Sequence, residues 1–148
     1  MRWSRVPGVI FATGLLMVLS LPDAVAAPPH VQIERIRFDP PGLDGGSNAS
    51  LNRETVVIAN TGSSAATLGG WTLRDREGHT FRFPDFSLAG GRRVIVHTGR
   101  GVNGPGDLYM GFSVAMWNND GDTATLTSVY GGVADRCTYS GSGTVARC

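Results

Sequence analysis

The feature that most constrains this chain is its succession of short runs in which apolar, often β-branched residues alternate with polar ones. The runs are separated by glycine, asparagine, aspartate and proline, and the 148 residues include 21 glycines and 8 prolines. Alternation with a period of two is typical of strands with one buried face, whereas a helix repeats its apolar residues every three or four positions. The chain is therefore predicted to form short strands joined by turns.

The first predicted strand contains an irregularity in its apolar pattern. Its four apolar residues change parity halfway, so a regular strand cannot bury all of them on one face. These residues are Val31, Ile33, Ile36 and Phe38. The change predicts either a β-bulge or a crossing from one sheet to another at Glu34–Arg35.

The later segments predict seven or eight such strands. Residues 54–60 are apolar on both faces, which is typical of a central strand. Asp75–Gly78 is interpreted as a hairpin loop in which the glycine supplies a positive φ. Residues 39–52 form a turn-rich loop, and residues 108–117 are expected to be extended or irregular because a glycine interrupts a weak helical spacing. With no internal repeat and no second domain, the prediction is an all-β sandwich.

Residues 1–26 are interpreted as a secretory signal peptide. Arg2 and Arg5 precede an almost wholly apolar stretch over residues 9–21, and Ala24–Ala26 has the small residues that a signal peptidase recognises. The apolar stretch would reach about 20 Å as a helix, short of the roughly 30 Å needed to span a bilayer core. The expected product is residues 27–148, a secreted extracellular domain without a transmembrane anchor.

Removal of this leader changes the charge balance. All thirteen basic residues are arginine, and cleavage after Ala26 would leave eleven arginines and eleven acids. A net charge near zero gives no bulk attraction to nucleic acid. The basic pairs Arg74 with Arg76 and Arg92 with Arg93 are therefore interpreted as solvated edge residues, with nucleic-acid binding as the less favoured alternative.

Cys137 and Cys148 lie eleven residues apart around a flexible Ser/Gly spacer. In an oxidising compartment this pair favours one intrachain disulfide, over a metal site or an intermolecular link. A bridge at this separation contributes about 2–3 kcal/mol by restricting the unfolded chain. We expect it to hold the C-terminus against the domain.

Seven motifs in the middle of the chain resemble those of one known family. They are Leu51–Glu54, Val56–Ile58, Asn60–Gly62, Gly70–Asp75, Phe81–Phe86, Trp117–Leu126 and Val133–Asp135. In this order they resemble the lamin tail domain, an immunoglobulin-like β-sandwich, over residues 30–139. The chain is most similar to the small secreted type found in actinobacteria, whose C-terminal cysteine pair closes a Ser/Gly-rich tail.

The resemblance implies a fold more than an activity. The family has no common catalytic activity, and its eukaryotic members act as protein- and DNA-interaction modules. Only structural positions carry over to this chain. The resemblance places Trp71 in the core and Asn60, Gly62 and Gly78 in turns.

The histidines do not predict an enzyme. His79 and His97 could join Ser113 and an aspartate in a nucleophilic triad, but no Gly-x-Ser-x-Gly motif supports this arrangement. The prediction is a protein without catalytic residues and without a cofactor.

The segment around residues 117–122 is the candidate binding loop. Asn118, Asp120 and Asp122 alternate like calcium ligands, but the EF-hand order fails and such residues also build turns, so no metal site is predicted. Trp117 stands at the border of the loop, where exposure would suit carbohydrate or protein contact, whereas its position in the family resemblance favours packing. Asn119 completes this candidate set.

The expected function is that of a secreted, non-catalytic binding or structural module. Its partner would be the cell envelope or another extracellular protein. The alternatives are a DNA-binding module and a small secreted enzyme or inhibitor with a site on loops 39–50, 99–106 or 117–122. The sequence leaves the ligand and the oligomeric state open.

Overall fold

The computed structural model describes residues 28–39, 42 and 46–148, so the predicted signal peptide at 1–26 lies outside the described residues. No described helix is both long enough and apolar enough to cross a membrane. The elements are β1 (Val31–Arg37), α1 (Asn48–Leu51), β2 (Thr55–Asn60), β3 (Ala66–Thr67), β4 (Thr72–Arg74), β5 (Thr80–Arg82), β6 (Ser87–Leu88), β7 (Arg93–His97), β8 (Asp107–Tyr109), β9 (Asp122–Thr127), β10 (Val133–Tyr139) and β11 (Val145–Arg147).

The strands form two main sheets and one small one. The five-stranded sheet has the order β11-β1-β2-β7-β8, the four-stranded sheet has the order β10-β9-β4-β5, and β3 pairs with β6. All pairs are antiparallel except β7 with β8. The predicted immunoglobulin-like β-sandwich is confirmed. The strands outnumber the seven or eight expected because several have only two or three residues.

Strand β2 is central, as its apolar pattern predicts. It lies between β1 and β7, and all its residues after Thr55 are buried. Val56 and Ile58 contribute to the core between the sheets. The strand begins one residue later than expected, and the buried Glu54 accepts a hydrogen bond from the backbone N–H of Met116 at 3.1 Å.

The irregularity of β1 is a bulge. Ile33 pairs with Ile58 and Arg35 pairs with Val57, so Glu34 is the additional residue. A second register shift lies in β10 between Val133 and Asp135. The two irregularities are joined, since an Asp135 carboxylate oxygen accepts a hydrogen bond from the backbone N–H of Ile33 at 2.7 Å.

The sequence did not predict several short elements, among them the paired strands β3 and β6. The turn-rich loop 39–52 contains the single-turn helix α1, which Ser47 caps by accepting a hydrogen bond from the backbone N–H of Ser50 at 3.2 Å. The C-terminal tail forms β11, which pairs with β1. Residues 108–117 are irregular after β8 ends at Tyr109.

Candidate functional site

The disulfide connects the edges of the two main sheets. Cys137 lies in β10, an edge of the four-stranded sheet, and Cys148 directly follows β11, an edge of the five-stranded sheet. Their Cα atoms are 5.5 Å apart. The backbone N–H of Cys148 also donates to the carbonyl of Glu34 at 3.0 Å. The predicted bridge is confirmed, and it holds a strand in the sheet as well as the terminus.

The two tryptophans occupy different depths in the sandwich. Trp117 has only 1% of its surface exposed and belongs to the core, which agrees with the packing role that its family position favours. Trp71, expected in the core, is half-buried and packs against the core from its rim. Alternation with Leu73 indicated one face for Trp71, but β4 begins only at Thr72, so Trp71 precedes the regular strand. Trp117 is therefore excluded as a ligand contact.

Asp122 is a structural anchor. Its buried carboxylate accepts backbone hydrogen bonds from Arg76, Asn118 and Thr123 at 2.9, 3.2 and 2.7 Å. The side-chain amide of Asn118 adds a fourth donor at 3.1 Å. These donors fix the loop before β9 against the hairpin between β4 and β5. This role agrees with the interpretation of the loop's asparagine and aspartates as turn-forming residues.

The remaining candidate loop residues are at the surface. Asp120 and Asn119 are exposed, and the side-chain amide of Asn119 donates to Asp39 at 3.4 Å. Asn118 and Asn119 border a depression of about 320 Å³ that Gly46 and Leu51 also line. The loop is therefore assigned no ligand.

Asn60 and Gly62 support the turn after β2. The buried amide of Asn60 donates to the carbonyls of Ser64 and Leu88 at 2.8 and 3.0 Å, and its oxygen accepts from the N–H of Gly62 at 3.1 Å. Gly62 also lies against the backbone of Pro28, where a Cβ atom would come within 2.1 Å of the Pro28 carbonyl oxygen. Both residues are structural.

The hairpin loop after β4 is closed by Asp75. One carboxylate oxygen accepts from the backbone N–H groups of Gly78 and His79 at 2.6 and 2.8 Å, and the other contacts His79 Nδ1 at 2.5 Å. Gly78 has φ of 103°, as expected for this loop. The hydrogen bond and charge of Asp75 raise the pKa of His79 above 6.5.

The same hairpin gathers three potential metal-binding groups. Ligand atoms of Asp75, Glu77 and His79 lie within 4.8 Å of one another. The hydrogen bonds of Asp75 already use both carboxylate oxygens, and Glu77 accepts from the amide of Asn118 at 3.3 Å. These hydrogen bonds explain the proximity of Asp75, Glu77 and His79 as part of the structure of the turn.

Both ring nitrogens of His97 have hydrogen-bond partners. Nδ1 contacts the carbonyl oxygen of Asn52 at 2.9 Å, and Nε2 contacts the carboxylate of Asp107 at 2.8 Å. The ring stacks on Tyr109 with centroids 4.7 Å apart. Neither hydrogen-bond partner is a serine, so these contacts do not form the nucleophilic triad considered from the sequence.

An aromatic groove opens at one end of the sandwich. Its volume is about 440 Å³, within the range of small-molecule sites. The turn between β9 and β10 presents Tyr130 with 96% of its surface exposed, and Val129 is 54% exposed. This turn is closed by hydrogen bonds between Ser128 and Gly132 and between Gly131 and Ser128. The residues that line the groove include Trp71, Tyr130, Val129, Ala134, Thr67 and His30.

An arginine face covers part of the outer surface of the five-stranded sheet. It consists of Arg35 and Arg37 on β1, Arg147 on β11, and Arg53 just before β2. Arg35 is paired with Arg147 across the strands, and Arg37 with Val145. All four arginines are exposed, and all but Arg147 line a cavity of about 290 Å³.

The arginines that the sequence singled out are used differently. Arg93 forms an ion pair with Glu34, and Arg76 donates to the carbonyl of Gly121 at 3.0 Å. The arginine face was missed because Arg147 lies 112 positions from Arg35 and joins it only through β11. The sequence feature that could have indicated this face is the alternation of Arg35 and Arg37 within β1.

For the aromatic groove, the sequence contained no indication beyond the position of Tyr130 in a Gly-rich turn.

A family model for the lamin tail domain matches residues 24–141. This match includes every strand from β1 to β10, whereas β11 and Cys148 lie beyond it. A comparison with curated proteins finds no match for the chain. The matched region covers most of the chain and agrees with the observed sandwich, so the chain belongs to the lamin tail domain family.

Proposed function

We propose that this chain is a secreted, non-catalytic module that binds a polysaccharide of the cell envelope in the aromatic groove. The observation that supports this most is the position of Tyr130, which is 96% exposed beside the half-buried Trp71. A large aromatic side chain held in water loses contact with the core, and such exposure is typical of binding surfaces.

The chemistry of the groove suits a sugar ring. The rings of Trp71 and Tyr130 and the side chains of Val129 and Ala134 offer apolar surface to the C–H faces of a pyranose. The hydroxyl of Thr67 lines the same groove and supplies a polar group for sugar hydroxyls. An apolar lining with few polar groups is the usual composition of a small-molecule site.

The absence of a catalytic role rests on the family and on the histidines. The lamin tail domain is a non-enzymatic family. Both ring nitrogens of His97 are engaged, and Nδ1 of His79 contacts Asp75. The extracellular location rests on the predicted leader at residues 1–26, which has the charged, apolar and small-residue regions of a secretory signal.

The test is co-sedimentation of oxidised residues 27–148 with purified envelope from the producing organism. The wild-type protein is expected in the pellet, with release by soluble wall polysaccharide. Tyr130→Ala should weaken this binding roughly tenfold, because the centre of an interface loses its aromatic contact. Trp71→Phe tests the second ring with little change in volume.

Val102→Ala is the matched control, since Val102 is 90% exposed on a different loop. It should bind like the wild type. Wild-type protein that stays in the supernatant, or equal binding by the Tyr130 and Val102 variants, would contradict the proposal. Retention that protease treatment of the envelope abolishes would replace the polysaccharide with a protein partner.

A further inference from the structure

We infer that the arginine face binds a flexible envelope polymer whose units are joined by phosphodiesters. The choice of an envelope polymer rests on the extracellular location proposed above. The arginine face itself is separate from the aromatic groove, since no residue lines both cavities. The inference is carried by the placement and the pairing of Arg35, Arg37 and Arg147.

These three guanidinium groups project from neighbouring positions of one sheet face. Arg35 and Arg37 are two residues apart on β1, which separates them by about 7 Å along the strand. Arg147 is directly opposite Arg35 on β11, at the roughly 5 Å spacing of antiparallel neighbours. Ile36, between the two β1 arginines, is fully buried, so the arginines share the solvent side.

Within the described part of the chain, the acids near this face are paired with other residues. The ion pairs on this sheet join Arg93 to Glu34 and His97 to Asp107. Arg35, Arg37 and Arg147 form no ion pair with a described residue, so the described residues present a positive patch on a domain whose net charge is near zero.

Arginine clusters of this kind match phosphate better than isolated charges do. The planar guanidinium donates two parallel hydrogen bonds to the oxygens of one phosphate. The depression between Arg37, Arg53 and His97 is also bordered by Thr55 and Val57 and has a volume of about 290 Å³, so one phosphate unit of an extended polymer can enter it.

Duplex DNA suits this surface less well. The patch covers only two adjacent strands, and the one helix among the described residues, α1, has four residues and cannot enter a major groove. A rigid duplex would also bring distant phosphates towards the acids outside the patch. A flexible chain can instead place successive phosphates on three neighbouring arginines.

Strand β11 completes the face and lies beyond the part of the chain that the family model matches. It contributes Arg147, and the bridge between Cys137 and Cys148 holds its end. The phosphate-binding surface is thus a feature of this chain that depends on the disulfide. Release of β11 would separate Arg147 from Arg35.

The experiment titrates oxidised residues 27–148 with lipid-free poly(glycerol phosphate) at several NaCl concentrations. Three phosphate contacts predict that log K falls with log salt with a slope of about −2, or roughly 20-fold between 50 and 200 mM NaCl. Arg35→Gln/Arg37→Gln should weaken binding at least tenfold at low salt and bring the slope to about −0.7. Arg147→Gln should reduce the magnitude of the slope by about 0.7.

Arg92→Gln/Arg136→Gln is the matched control, because it removes the same charge from exposed positions elsewhere and should leave Kd within about twofold. Circular dichroism and thermal melting check that each variant is folded. No binding, or equal losses in the two double variants, would overturn the inference.

Two comparison polymers test the chemistry. Polygalacturonate carries carboxylates, and binding as tight as that of poly(glycerol phosphate) would overturn the preference for phosphate. Tighter binding of oligothymidylate would assign the face to nucleic acid instead. Failure of the groove proposal has a different signature, since it would leave this titration unchanged while Tyr130→Ala and Val102→Ala sediment alike.

Discussion

Arg35 of β1 and Arg147 of β11 lie directly opposite each other on neighbouring antiparallel strands, although both carry a positive charge. Like charges in opposed positions destabilise strand pairing. The short strand β11 therefore needs another source of stability, and the disulfide from Cys148 to Cys137 supplies it. The bridge makes this arrangement of arginines stable in the absence of a ligand.

Removal of the disulfide should destabilise the domain by about 3 kcal/mol, as expected for a loop of this separation. The variant is Cys137→Ser/Cys148→Ser, compared with the oxidised wild type by urea unfolding. Release of β11 would also expose the hydrogen-bonding edge of β1 and favour aggregation. An unchanged unfolding midpoint and unchanged solubility would show that β11 is held without the bridge.

Truncation of Trp117 should cost about 3–5 kcal/mol of stability, because its ring is fully buried in the core. Trp117→Ala is measured by denaturant unfolding. Fluorescence gives an independent check on residues 27–148, in which Trp71 and Trp117 are the only tryptophans. With Trp71→Phe, acrylamide should barely quench the remaining emission, whereas strong quenching would place Trp117 at the surface.

Asp122→Ala should destabilise the domain by about 3 kcal/mol. The change leaves the backbone N–H groups of Arg76, Asn118 and Thr123 without their acceptor. Asp120→Ala, at an exposed position of the same loop, is the control and should stay within about 0.5 kcal/mol. Neither calcium nor chelator should shift the melting temperature, and a calcium-dependent shift lost in the Asp122 variant would reveal a metal site.

The pairing of His79 with Asp75 should make stability depend on pH. The folded-state pKa of His79 is raised above the unfolded value of 6.5 by the hydrogen bond and charge of Asp75. The stabilisation is therefore complete below pH 6.5 and is lost as pH rises through the folded-state pKa. The difference in melting temperature between wild type and His79→Gln should be larger at about pH 5 than at about pH 9.

Titration of His79 by NMR measures the same effect directly. The imidazole of the wild type should titrate above 6.5, and Asp75→Asn should lower its pKa. A wild-type value at or below 6.5 would contradict the observed contact.

The sandwich was predictable because the strand pattern, the turn glycines and the cysteine pair are all local signals. The parity change in β1 predicted a bulge or a crossing between sheets at Glu34–Arg35, and the structure has a bulge at Glu34, which lets Ile33 and Ile36 both face inwards. The limits of this reasoning appear at the tryptophans. Local parity could not tell that Trp71 precedes β4 at the rim of the sandwich, while Trp117 enters the core from an irregular loop.

The candidate sites depend on contacts between distant parts of the chain and were therefore largely invisible in the sequence. Tyr130 and Trp71 line the same groove only because β9 pairs with β4. Arg147 joins Arg35 only because β11 adds to the edge of β1. The alternating Asn118, Asp120 and Asp122 suggested a ligand loop, but the donors that surround Asp122 come partly from the hairpin after β4.

The most direct test of the account is NMR mapping of oxidised, ¹⁵N-labelled residues 27–148 titrated with soluble fragments of the neutral wall polysaccharide. We expect chemical-shift changes at Thr67, Trp71 and residues 128–134. The changes at Arg35, Arg37 and residues 117–122 should be weak or absent. Saturable shifts confined to the aromatic groove would establish polysaccharide binding there. Shifts confined to residues 117–122, or none at fragment concentrations that release the protein from envelope, would contradict it.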